Sequence, residues 1–129
     1  DMNRIACADL DGQMHDLLIA HLQNDDFFDV PKHPTARLAV TGSRAITGAG
    51  AGAPNLEVTG ELTLRGQTHP LDFLVASGLT PEGRPAAQAT FSIDRTRWGV
   101  LYGSGKFFHR LAGHLVNDHI DFDLRILTR

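Results

Sequence analysis

The chain has a single cysteine, Cys7, which excludes an internal disulfide and leaves cysteine usage silent about compartment. It has no cluster of lysine or arginine. Its 12 basic residues are scattered among 15 acidic ones, for a net charge of −3, so nothing neutralises a phosphate backbone and nucleic acid is not an expected partner. No apolar run approaches the roughly 18 residues that a membrane-spanning helix needs. The chain starts at Asp1 without an initiator Met or a signal-peptide pattern, so any targeting segment is invisible in it. Aromatic residues make up only 7%, yet four of the seven phenylalanines occur as two adjacent pairs, Phe27-Phe28 and Phe107-Phe108. The first pair stands in a polar stretch, HLQNDDFFDVPKHPT, just before a Pro-Lys-His-Pro run that cannot be helical.

At 129 residues, 42% of them hydrophobic and 21% charged, the chain has the composition of one globular domain with one core. Its most regular signal is alternation. In EVTGELTLRG, Val58, Leu62 and Leu64 fall on one face while Thr59, Glu61, Thr63 and Arg65 fall on the other. In HIDFDLRIL, Ile120, Phe122, Leu124 and Ile126 oppose Asp121, Asp123 and Arg125. Period two over such lengths predicts half-buried antiparallel strands. Shorter versions occur at Leu38–Val40, at Leu71, Phe73 and Val75, and at Phe91 and Ile93.

Turn residues separate these runs: GAGAGAP from Gly48, a tight link over residues 66–70 with Pro70 opening the next strand, and LTPEGRP from Leu79. The hairpin succession predicts a barrel or sandwich. One helix is expected from Gly12 to Gln23, capped by Asp9 or Asp11 and ended by Asn24-Asp25-Asp26, with Met14, Leu17, Leu18 and Leu22 on one face. A second helical turn is expected from Phe107 to Leu115, and Cys7 is expected on a strand.

Catalytic and metal motifs fail on inspection. GSGK, ending at Lys106, has Val100 and Phe107 where a phosphate loop needs Gly and Ser or Thr, so it reads as a bend. The seven histidines include no H-x-x-x-H pair, and His15 and His21 diverge around a helix, so no metal site is expected. No G-x-S-x-G elbow exists, and Asp121 with Asp123 reads as a solvated strand face. In RTRWG, Arg95 and Arg97 are expected to be solvated, and Trp98 to pack at a barrel corner or stack on a ligand. Leaving a Phe exposed forgoes roughly 2–3 kcal/mol. The Phe pairs therefore either plug a barrel end as core or line the mouth of an apolar cavity.

Three segments then carry a resemblance. H-L-x-x-x-D-F-F-D-V-x-K-x-P-T at His21–Thr35, G-E-L-T-L-R-G-x-T-x-P-L at Gly60–Leu71, and I-D-R-T-R-W-G-V-x-Y-G-S-G-K-F-F at Ile93–Phe108 resemble the signature segments of the YceI-like proteins, in that family's order and spacing. The resemblance implies an antiparallel, lipocalin-like, eight-stranded β-barrel with one short helix lid. It further implies that residues 1–129 form a single such domain, whose interior holds a long isoprenoid-type lipid as ligand, with no cofactor. It implies a periplasmic or secreted lipid binder or carrier, not an enzyme, that often forms dimers. Eight strands enclose just enough space for packed side chains or one slim ligand.

His33, His69 and the segment from His109 to His119 depart from the family pattern in ways that read as surface changes. The larger departure is at the start, where strands of the family barrel have no counterpart, so the fold is expected to be incomplete there. Either the natural N-terminus is missing, or a partner chain completes the sheet by strand addition or swapping, or this is a short variant with an open cavity. The expected lipid-binding residues are Phe27, Phe28, Leu38, Val40, Leu62, Leu64, Phe73, Phe91, Ile93, Trp98, Phe107, Phe108, Phe122 and Leu124. The rival readings are an isomerase- or cyclase-like enzyme acting on an apolar substrate, with His69 or Arg95 as inward polar candidates, and a filled-core module without a ligand.

Overall fold

A computed structural model describes residues 1–107 and 115–129 of the chain. The expected helical turn from Phe107 to Leu115 falls for the most part outside the described residues, as do Phe108, His109 and His114.

The protein is mostly β. Strands β1 (Arg37–Ala45), β2 (Leu56–Leu64), β3 (Gln67–Leu79), β4 (Pro85–Asp94) and β5 (His119–Leu127) form one antiparallel sheet in sequential order. Helix α1 runs from Gly12 to Gln23. Short 3-10 turns occupy Met2–Arg4 and Arg95–Trp98. The sheet does not close into a barrel; β1 and β5 are its edges. Eight strands are what a small barrel needs for a side-chain-filled interior, and five fall short.

Local chemistry explains most element boundaries. α1 ends where the Asn24 N–H bonds back to the His21 carbonyl at 3.3 Å and Asn24 Oδ1 accepts from the Asp26 N–H at 2.9 Å. Asp11 is its N-cap, but the side chain makes no capping bond. β2 and β3 are joined by two residues, Arg65 (φ 49°) and Gly66 (φ 72°), both left-handed as a type I′ hairpin requires. Because that reversal needs only two residues, β3 begins at Gln67, and Pro70 lies inside it instead of opening it. β3 and β4 pair Val75 with Ala89 and Leu79 with Pro85. The link between them turns at Gly83, whose N–H donates to the Thr80 carbonyl at 2.8 Å.

The first segment differs from expectation. Cys7 lies on no strand. Asp1 accepts from the Asn3 N–H at 2.9 Å, and this side-chain cap stabilises a 3-10 turn over Met2–Arg4. The Met2 N–H is tied to the Pro34 carbonyl at 2.8 Å.

By packing, the chain divides into two compact units. Unit 1 holds residues 1–37, 62–69 and 94–118; unit 2 holds residues 38–61, 70–93 and 119–129. In unit 1 the buried apolar residues are Phe27, Val30, Leu62, Leu64, Trp98 and Val100. In unit 2 the core is Val58, Phe73, Val75 and Ala89, with Leu38, Leu56, Leu71, Ala87 and Phe91 packed around it.

Candidate functional site

Unit 2 carries an apolar recess of about 190 Å³. Every strand contributes to it: Leu38 and Val40 from β1, Val58 from β2, Phe73 and Val75 from β3, residues 87–89 from β4, and Leu124 with Ile126 from β5. Period-two alternation puts these apolar side chains on one side of the sheet. Gln88 borders it between Ala87 and Ala89, so alternation turns its side chain to the other face of the sheet, and none of the described residues lining the recess is titratable. Val40 (63% exposed) and Ile126 (60%) stand on the two edge strands and form its open rims. Phe73, Phe91 and Phe122 form an aromatic row across β3, β4 and β5, with ring centroids 5.0 and 4.9 Å apart. The Phe91 and Phe122 rings are nearly parallel, at 12°.

Unit 1 is built differently, around buried polar groups that are bonded. Arg95, expected to be solvated, is only 2% exposed. Its Nε donates to the Asn117 carbonyl (2.9 Å), Nη1 to the Val100 carbonyl (2.8 Å) and Nη2 to the Val116 carbonyl (3.0 Å). Three backbone carbonyls accept from the guanidinium, and these bonds replace the hydration that its burial removes. Burial holds the Arg95 pKa below its ordinary value, opposed by the nearby carboxylates of Asp118 and Asp94.

Trp98 is fully buried, and its indole N–H donates to the Leu62 carbonyl at 2.8 Å. The Arg97 guanidinium, exposed, lies 5.3 Å from its ring centroid. Asp94 caps the 3-10 turn by accepting from the Thr96 N–H and hydroxyl, and it is ion-paired with Lys106. The Lys106 contact, then the Thr96 hydroxyl, draws the Asp94 pKa down to about 2.

The aromatic pair in the polar stretch is explained within unit 1. Phe27 is buried, edge-on to His21 at 5.0 Å, tilted to Tyr102 at 5.3 Å and under the Arg95 guanidinium at 5.8 Å. Its carbonyl accepts from Arg65 Nη1 at 3.1 Å, and the same nitrogen reaches the Gly99 carbonyl at 3.2 Å. Phe28 is half-buried. His69 stands edge-on to Trp98 at 5.1 Å, with its Nε2 buried and without a hydrogen-bond partner among the described residues.

The expected lipid-binding residues thus fall in both units. Leu38, Val40, Phe73 and Leu124 line the recess, Phe91 and Phe122 form the aromatic row with Phe73, and Ile93 is buried, all in unit 2. Phe27, Leu62, Leu64 and Trp98 are buried in unit 1, and Phe107 there is 53% exposed. Phe108 lies outside the described residues. Sequence reasoning left Val58, Val75, Ala87, Ala89 and Ile126 off the lining. The alternation that selected Phe73 and Leu124 also selects Val58, Val75 and Ile126, whereas the two alanines carry too little hydrophobic signal to stand out. Among the described residues no group of three His, Cys, Asp or Glu side chains is placed to hold a metal ion.

Comparison with known proteins agrees with this architecture. The family model described as YceI-like domain matches residues 2–127. The UPF0312 protein PputW619_0484 of Pseudomonas putida (strain W619) is 32% identical over 85 residues, covering 62% of this chain and 42% of that protein. The crystal structure of the Campylobacter jejuni YCEI protein superposes with a TM-score of 0.66 at 18% identity, over 92% of this chain and 63% of that one. Burkholderia cenocepacia BcnA superposes at 0.68 with 19% identity, over 88% of this chain and 65% of that one. At these identities the two structures show a shared fold. The chain spans under half the length of the curated relative and under two thirds of each of these solved chains.

Proposed function

Since the chain belongs to the YceI-like family, we propose that it binds and carries a long apolar lipid of isoprenoid type, seated on the apolar side of unit 2. The observation that carries this reading is the recess, lined by nine apolar residues and Gln88. Its volume of about 190 Å³ exceeds the roughly 150 Å³ of an engineered apolar cavity that takes benzene, so it accommodates a segment of about six carbons. At ~0.8 kcal/mol per methylene, six carbons contribute ~5 kcal/mol, which alone corresponds to an affinity just below millimolar. Retention of a lipid therefore requires a chain that continues past the recess, and the half-buried Phe91 and Phe122 lie in the same unit to receive it.

The lining supports binding over catalysis. An acid–base enzyme requires a titratable group facing its substrate, and none of the described residues lining the recess is titratable. Among the described residues no helix is long and apolar enough to cross a membrane. The reading places the protein in the periplasm or outside the cell, as a carrier in an aqueous compartment.

The test is mass spectrometry of an organic extract from natively purified protein, beside a V40D/I126D variant. Both substituted positions are exposed rims, so folding should persist. A stoichiometric isoprenoid lipid in the parent protein and at least a tenfold loss in the variant are expected. An empty extract from folded parent protein, or equal lipid in both, would overturn the proposal.

A further inference from the structure

Helix α1 turns apolar side chains outward. Of the four residues expected on one face, Met14 and Leu17 are 63% and 58% exposed while Leu18 and Leu22 are half-buried, and the helix contains no buried residue. Met14 and Leu17, three apart, are neighbours on one face. Two large apolar side chains adjacent on one helix face form an exposed stripe that scattered single residues do not.

Along the segment that carries α1 the charge has one sign. Between Arg4 and Lys32 the chain contains Asp9, Asp11, Asp16, Asp25, Asp26 and Asp29 and no Lys, Arg or Glu. Asp29 is paired with Lys32 at 3.1 Å and Asp26 with His21 at 2.9 Å. Asp16 has only His15, at 3.2 Å, and Asp9, Asp11 and Asp25 have no ion-pair partner among the described residues. Carboxylates without an ion-pair partner among the described residues therefore stand at both ends of the helix.

We propose that α1 is a docking surface for a positively charged amphipathic segment of a protein partner, which lays apolar residues on Met14 and Leu17 and basic residues against the aspartates at the two ends of the helix. The sign of the charge selects this occupant. An anionic lipid surface attracts amphipathic helices with Lys and Arg on their polar face, the reverse of what α1 offers. A second copy placed face to face would oppose aspartates with aspartates, which costs affinity. A basic amphipathic segment satisfies both the apolar stripe and the charge.

The test uses the full chain and a fluorescent synthetic peptide of leucine and lysine at helical spacing, titrated by anisotropy at low and at physiological ionic strength. The diagnostic variant is M14D/L17D, which removes the stripe while adding negative charge at two exposed sites, with circular dichroism as the folding control. Docking on the stripe predicts saturable binding to the parent, weakened by salt and reduced at least tenfold in the variant. A D9N/D11N/D25N variant should also bind more weakly and lose most of the salt dependence. Equal or tighter binding by folded M14D/L17D would show attraction by bulk charge alone and overturn the proposal. So would association with phosphatidylglycerol vesicles in place of the peptide, or self-association of the parent that M14D/L17D abolishes.

Discussion

Replacing Arg95 with Met asks how much of unit 1 rests on one buried cation. The side chain is 2% exposed and donates to the carbonyls of Val100, Val116 and Asn117 at 2.8, 3.0 and 2.9 Å. Hydrogen bonds from a charged donor contribute about 1.5–3 kcal/mol each, so the gross loss is about 4.5–9 kcal/mol. The desolvation that depresses the Arg95 pKa offsets several kcal/mol of this, and Met restores part of the packing. Three carbonyls are left without their donor, and the Asp118 carboxylate loses the nearer of its two cationic neighbours, the guanidinium at 3.7 Å, keeping Lys106 at 4.0 Å. The net expectation is a loss of about 3–5 kcal/mol, a large fraction of the ~5–15 kcal/mol that holds a domain folded. That corresponds to a fall in melting temperature of roughly 10–20 °C. Urea denaturation followed by fluorescence of Trp98, the single tryptophan, reads it directly. Arg97→Met is the control, because Arg97 is exposed and meets only the face of Trp98, an interaction of about 1 kcal/mol or less. A loss under about 1 kcal/mol for Arg95→Met, or equal losses for the two variants, would refute the role assigned to the three bonds.

Two further outcomes are expected. Phe27→Ala should cost about 3–4 kcal/mol, because it empties a buried site between His21, Tyr102 and Arg95, whereas Phe28→Ala at a half-buried position should cost less than half as much; equal shifts in thermal denaturation would contradict this division of the pair. Asp94 has a folded pKa of about 2, below the ordinary 3.8, so its contribution is complete above about pH 4 and is lost as pH falls from 4 to 2. Lys106→Met removes the larger cause and should flatten that acid limb. The effect is held to about 1 kcal/mol because Lys106 is half exposed, and parallel acid limbs in urea midpoints between pH 2 and 5 would sink the assignment.

Sequence alone determined the elements whose signal is local. The run HIDFDLRIL specified β5 from His119 to Leu127, and the span Gly12–Gln23 emerged as α1, because alternation, helical spacing and end residues act within a few positions. A tight β2–β3 reversal was legible, but over residues 66–70; the structure makes it with Arg65 and Gly66, both at positive φ, which no local signal distinguished from a longer link. Family membership was legible too, since three ordered motifs spread along the chain are a conjunction that chance does not assemble.

Tertiary structure decided burial, which depends on what distant segments bring. Nothing in RTRWG reveals that Arg95 meets carbonyls from residues 100, 116 and 117, so a side chain with the composition of a surface charge became the most heavily bonded group of the unit 1 core. Periodicity put Met14 and Leu17 on one face of a helix without saying whether anything covers that face, and they stand in solvent. It likewise put Val40 and Ile126 on the apolar side of their strands, but these are the edge strands of an unclosed sheet, and both side chains remain as open rims. Period fixes a direction along one element, whereas burial requires a second surface in that direction, and that surface comes from elsewhere in the fold.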